Sequence, residues 1–207
     1  MNKIIIILFA MVAVLPHPAW GQNDTNYVIS INGQTYDISL GRDYQIKSDS
    51  GEIINFRVNK KAVMTYKNGY TSFQHKSDLA VSSTDLGNGI RQTMTNTAAG
   101  TLVLIQEYSR MNPTNLVNLM LQELTKEQVS YGYKIQIKSY SKTLKNGTRL
   151  DGKRAVLKYK DEEEYWCVLA YGKRDSGFLV ITKIDKENFN AEKNIIDLMW
   201  ETLQIQL

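Results

Sequence analysis

Once its first 21 residues are set aside, the chain holds one cysteine, Cys167, one histidine, His75, and one proline, Pro113. Each scarcity closes a class of chemistry. A single cysteine cannot form an internal disulfide, and Tyr165-Trp166-Cys167-Val168-Leu169-Ala170 is the setting of a small hydrophobe in a buried strand. Zinc needs several histidine or cysteine ligands at fixed spacing, and these two residues lie far apart. A histidine-based triad would have to use His75, with Asp78 to orient it, and no Gly-x-Ser-x-Gly elbow presents a serine. His75 therefore reads as a strand-end residue rather than a catalyst. Ser139-Tyr140-Ser141-Lys142 has S-x-x-K spacing, but in a strand, positions three apart point to opposite faces. Asp161-Glu162-Glu163-Glu164 lacks the spacing and glycine of a calcium loop and reads as a solvated turn. Gly87-Asn88-Gly89 precedes a strand and is a turn, not a phosphate cradle. No metal and no cofactor is expected.

Long apolar runs are equally scarce. The one present, Ile4 to Leu15, follows Lys3 and ends at Pro16-His17-Pro18, with Ala19-Trp20-Gly21 supplying small residues before Gln22. This is the pattern of a cleaved secretory signal peptide over residues 1–21, with no cysteine at the cleavage point for a lipid anchor. The run is too short to span a bilayer, so no transmembrane segment is expected after cleavage. The expected location is periplasmic or secreted. Removing 21 of 207 residues leaves 186, enough to bury a core without disulfides.

Charge is abundant but unevenly spread. Without Lys3, 24 basic and 21 acidic residues remain, a net of +3. The segment from Tyr133 to Lys160 carries nine basic residues and one acid, Asp151, a net of +8 that leaves the rest at −5. Lys134, Lys138 and Lys142 share a strand face with Gln136 and Tyr140. With Arg154 and Lys158 from the return strand, Lys134, Lys138, Tyr140 and Lys142 form the candidate binding site for an anionic partner. The competing reading is a soluble strand face, or an edge guarded by lysines. Nucleic acid is not the expected partner, because no recognition motif is present.

Turn and periodicity signals organise the remainder. Tyr27–Ile38 forms a hairpin at Asn32-Gly33, and Tyr44–Val58 a second at Asp49-Ser50-Gly51. Lys60-Lys61 marks a seam between an N-terminal hairpin segment, 22–60, and a domain over 61–207. Asn68-Gly69 joins Ala62–Lys67 to Tyr70–His75, a polar loop covers Ser82 to Gly89, and strands follow at Ile90–Thr97 and Thr101–Tyr108. The continuous Thr101-Leu102-Val103-Leu104-Ile105 suits a strand covered on both faces. Asn112 and Pro113 open a helix whose stripe Leu116, Val117, Leu119, Met120, Leu121, Leu124 and Gln128 predicts tight packing, ended by Gly132. A long hairpin turns at Asn146-Gly147. Its apolar residues are odd-numbered on both arms, which a two-residue loop allows only with a bulge, placed at Asp151-Gly152. Strands at Tyr165–Tyr171 and Phe178–Ile184 precede a last helix from about Lys186 to Glu201, with Phe189, Ile195, Ile196 and Met199 buried. The expected class is α+β: an antiparallel sheet flanked by two main helices, with N-terminal β-hairpins.

Over about residues 62–207 this order of elements resembles the PsbP-like fold family. The resemblance is carried by Tyr70-Thr71-Ser72-Phe73-Gln74-His75-Lys76-Ser77-Asp78-Leu79-Ala80-Val81, and by Ala170-Tyr171-Gly172 and Phe178–Thr182 before a helix ending in Leu203-Gln204-Ile205. Lys76-Ser77-Asp78-Leu79 stands where that opening commonly has proline and tryptophan. The resemblance implies an exported or lumenal α+β protein that binds partners, with no catalytic residues to carry over. The chain is thus expected to be a non-enzymatic envelope protein that binds an unidentified protein or an anionic envelope component. Two alternatives stand beside it. One is a carrier of a small apolar or aromatic ligand in a pocket between sheet and helix, lined by Trp166, Trp200 and nearby tyrosines. The other is a carboxylate-based hydrolase using residues such as Glu107.

Overall fold

A computed structural model describes residues 27–48 and 51–207. The expected signal peptide, 1–21, lies outside the described residues, as do Asp49 and Ser50 of the second hairpin turn. The chain divides into two compact units, Met1–Lys60 and Lys61–Leu207.

The first unit contains two antiparallel hairpins. Strands β1 (Tyr27–Ile31) and β2 (Gln34–Ile38) join through Asn32-Gly33, both at positive φ (50° and 83°), as a two-residue turn between twisted strands requires. Strands β3 (Asp43–Lys47) and β4 (Ile53–Arg57) pair through a stacked Tyr44–Phe56 contact with ring centroids 5.5 Å apart.

The second unit is built on a seven-stranded antiparallel sheet. In spatial order it runs β10 (Lys134–Thr143), β11 (Arg149–Tyr159), β12 (Glu162–Lys173), β13 (Ser176–Asp185), β9 (Leu102–Tyr108), β8 (Ile90–Asn96) and β7 (Ser82–Asp85). A smaller sheet sets β6 (Thr71–Lys76) between β5 (Val63–Lys67) and β14 (Gln204–Ile205). The α+β class and the antiparallel sheets stand. Strands dominate, however, and the α-helices among the described residues are two: α1 (Val117–Tyr131) and α2 (Phe189–Thr202).

Alternation along the strands divides the core in two. On one face of the large sheet, Leu157, Trp166, Val168 and Leu179 pack with Val117 and Leu121 of α1. On the other, Ile105, Leu150, Cys167 and Leu169 pack with Met199 and Trp200 of α2. Strands β12 and β13 supply both cores, which is why their sequences are apolar at successive positions.

Three expectations need correction. Ser82–Asp85 is strand β7 rather than loop; it pairs with β8 from the sheet edge, and its polar, uniformly exposed residues carry no alternation to betray it. The helical stripe is narrower than expected. Asn112 accepts from the Thr114 N–H, but the first turn, Pro113–Leu116, is a 3-10 turn, and α1 buries Val117, Leu121 and Thr125 while Leu119 is 52% exposed. The bulge at Asp151-Gly152 does not exist: Leu144 pairs with Thr148, so the loop has three residues, Lys145-Asn146-Gly147. Gly147, at φ 84°, supplies the left-handed residue such a loop needs, and odd positions then face odd ones without interruption.

Candidate binding face on strands β10 and β11

The three-residue loop decides where the predicted site residues go. With even positions opposite even ones, Lys134 stands across from Lys158, Lys138 from Arg154, Tyr140 from Gly152 and Lys142 from Leu150. Directly opposed residues share a face, so all six site residues lie on one side of the sheet, that of α2. The structure brings the predicted set together.

It also shows that the six are not equivalent. Like charges opposite one another disfavour the pairing unless they find partners. The Lys158 ammonium lies 3.1 Å from Glu163, which also meets Lys186 at 3.5 Å. Hydrogen bonds from the Tyr165 hydroxyl first, and from Lys158 second, hold the Glu163 carboxyl below its usual range. The central carbon of the Arg154 guanidinium lies 3.4 Å from the ring centroid of Tyr140, well within the range of cation–π attraction. Lys142 is half-buried, its ammonium 5.5 Å from the Trp200 ring on α2. Lys134 and Lys138 are exposed and, among the described residues, have no side-chain partner. The face therefore has two free cations on β10, two more seated on aromatic rings, and one neutralised. Residue numbers alone could place these side chains on one face. The ring contacts and the Glu163 pair depend on α2 and β12, which no local pattern reveals.

Next to Lys134 and Lys158 in the chain, but turned to the α1 side of the sheet, lie tyrosines outside the candidate set, Tyr133 and Tyr159 being half-buried. Tyr131, Tyr133 and Tyr159 form a ring cluster with centroids 5.2 to 6.3 Å apart, and Tyr131 is 70% exposed. Tyr133 donates to Glu162, which pushes its hydroxyl pKa up to about 12.

The other candidate groups have structural tasks. Cys167 is buried opposite Arg154, and burial pushes its thiol up. His75 is buried at the end of β6, where Nδ1 lies 2.9 Å from the Lys76 carbonyl and so donates to it. Glu107 is buried and accepts from the Asn68 side-chain amide (2.7 Å) and the Thr71 hydroxyl (2.5 Å), fastening the β5–β6 turn to β9. Trp166 and Trp200 lie on opposite faces of the sheet, each within a core, so they cannot line one ligand pocket. A cleft of about 470 Å3 does open between the start of α1 and strands β11 and β12, lined by Thr114, Asn118, Arg149, Asp151 and Lys153 among others. No tryptophan lines it, and Arg149 pairs with Asp151 at 2.9 Å. Among the described residues no helix is long and apolar enough to cross a membrane.

No protein-family model matches the chain, and no curated protein sequence matches it. Among solved structures it is similar to one from Bacteroides thetaiotaomicron VPI-5482, with 10% identity, 70% of this chain covered and a TM-score of 0.32; the match spans 48% of that chain. It is also similar to the solution structure of cyanobacterial PsbP from Synechocystis sp. PCC 6803, with 8% identity, a TM-score of 0.48, and coverage of 72% of this chain and 95% of that one. The chain thus bears a weak fold-level resemblance to PsbP.

Proposed function

We propose that this is an exported, non-enzymatic binding protein of the bacterial envelope that takes an anionic partner on the α2 side of β10 and β11. The observation that carries the reading is the cross-strand register, which gathers Lys134, Lys138, Lys142, Arg154 and Lys158 on one face and leaves Lys134 and Lys138 without partners among the described residues. Concentrated, unneutralised charge at an exposed face raises encounter rates with an opposite charge and fades with salt. Export is read from the leader pattern. The non-enzymatic role is supported by the commitments of the residues most suited to chemistry: His75 to a backbone carbonyl, Glu107 to Asn68 and Thr71, and Cys167 to a core.

The test is recovery of partners from envelope extracts by the purified protein at low and high salt. A triple charge reversal of Lys134, Lys138 and Lys142 to glutamate is compared with the same reversal at exposed Lys67, Lys126 and Lys173, which changes net charge equally. The reading expects salt-sensitive capture that only the first variant loses. Equal loss in both variants, or loss in neither, overturns it.

A further inference from the structure

Strand β10 ends the large sheet, and among the described residues its outer side is an unused hydrogen-bonding edge. The hairpin geometry identifies which groups it offers. The Leu144 N–H donates to the Thr148 carbonyl at 2.8 Å, and the Gly147 N–H donates to the Leu144 carbonyl at 2.9 Å, so Leu144 and Thr148 form a hydrogen-bonded pair. Such pairs alternate along an antiparallel ladder. The even residues of β10 are therefore bonded to β11, while Ile135, Ile137, Ser139, Ser141 and Thr143 turn their N–H and C=O groups outward. Among the described residues no other strand pairs with them.

Edge strands are ordinarily blunted by shortness, proline, a bulge or charge. β10 is ten residues long, contains no proline, and keeps an unbroken register from Lys134–Lys158 to Thr143–Arg149. Its one protection is lysine, and lysine is selective. A second copy pairing through β10 would set lysines against lysines, whereas an acidic strand meets the opposite charge. The two faces differ as well. Lys134 and Lys138 stand on the α2 side; on the other, Ile135 is half-buried and Ile137 is 51% exposed. A lipid surface fits this arrangement poorly, because α2, about 10 Å across, stands on the same side of the sheet as the cations, and a bilayer would leave the outward backbone unpaired.

We propose that β10 receives an extended acidic segment of a partner protein as an eighth strand of the sheet, with acidic side chains beside Lys134 and Lys138 and alternating apolar ones beside Ile135 and Ile137. Main-chain hydrogen bonds provide the affinity and the two dissimilar faces the selectivity. This rests on the reading that the β10–β11 face binds an anionic partner.

The experiment titrates the purified protein with a labelled ten-residue peptide alternating glutamate and valine. Parallel titrations use the same residues as one block of glutamates followed by one of valines, the alternating peptide N-methylated at every second residue, and heparin as a polyanion without a peptide backbone. The alternating peptide should bind saturably and slow amide exchange at Ile135, Ile137 and Ser139. N-methylation, which removes several hydrogen bonds, should weaken binding by about tenfold or more. Ser139→Pro should weaken it comparably, because it removes an outward N–H and leaves the main-chain bonds to β11 in place, losing on that side only the exposed bond from the Lys153 ammonium to its hydroxyl (3.1 Å). Should that variant misfold, the N-methylated peptide tests the same bond on the unaltered protein. Binding indifferent to N-methylation, binding of heparin without the alternating peptide, or dimerisation through β10 each overturns strand addition. If heparin binding in those cases still requires Lys134 and Lys138, the anionic-face reading survives; if nothing binds through those lysines, both fail.

Discussion

Strands β9 and β10 belong to one antiparallel sheet, with three strands between them, and are opposites in burial and in free charge. Six successive residues of β9, Val103 to Tyr108, are buried, and no residue of β10 is. Both strands contain polar side chains, but their fates differ. In β9, Gln106 bonds to Gln92 at 3.0 Å and to Tyr108 at 2.6 Å, and Glu107 is held by Asn68 and Thr71, because a buried polar group without a partner costs about 1–3 kcal/mol. In β10, Lys134 and Lys138 rest in water. A sheet interior uses up its hydrogen-bonding and charge capacity, and an edge keeps it. Unpaired backbone and free charge are therefore left at an edge such as β10, for reasons of topology before any reason of sequence.

The widest separation between the strands should appear on truncation. Ile105→Ala on β9 removes a fully buried side chain from the α2 core and should cost about 2–5 kcal/mol. Ile137→Ala on β10 should stay within about 0.5 kcal/mol. Denaturant unfolding measures both, and a large loss at Ile137 would show that β10 is covered in solution, breaking the comparison. A middle-sized effect is expected at Glu107. Glu107→Ala strands Asn68 and Thr71, and should cost about 1–3 kcal/mol, while Lys138→Ala should cost almost nothing. Smaller in energy but finer in detail is hydrogen exchange. β9 amides should be protected along the strand, whereas β10 should alternate, with Lys138, Tyr140 and Lys142 slow and Ile137, Ser139 and Ser141 fast. Uniform protection of β10 would mean that its register or its edge status is not as described.

The contrast between these strands was partly legible in residue order. Continuous Leu102 to Ile105 against alternating Lys134, Lys138 and Lys142 distinguishes an interior strand from an exposed one, and Asn146-Gly147 marks the hairpin. What could not be read was loop length. Asn-Gly suits a two-residue loop, and also a three-residue loop in which glycine takes the left-handed position, and only the second gives the observed parity without a bulge. Strand β7 escaped because Ser82 to Asp85 bury nothing. The division of Trp166 from Trp200 was half visible: alternation sets Trp166 opposite Cys167 in facing, but which helix covers which face is decided by long-range chain return. The neutralisation of Lys158 was hidden likewise, since it depends on the two-residue turn that brings Glu163 back beside it.

That pair gives the smallest expected effect and sharpens the comparison within the site itself, between lysines that are free and one that is not. Tyr165 and then Lys158 lower the Glu163 carboxyl, so its contribution to stability has a definite pH sense. A carboxyl whose folded value lies below its unfolded value stabilises fully above the unfolded value, and loses that contribution as pH falls through the folded one. Glu163→Gln should therefore lower the melting temperature slightly near neutrality and leave it unchanged at acidic pH, below the Glu163 carboxyl's own titration. The free lysines should produce no such convergence: Lys138→Gln should differ little from the parent at either pH. Lys158→Gln should raise the Glu163 titration seen by carboxyl NMR toward the ordinary range, though not fully, because Tyr165 remains. An unmoved titration in that variant would mean that Lys158 is not engaged with Glu163, and that a third unpaired cation belongs to the proposed binding face.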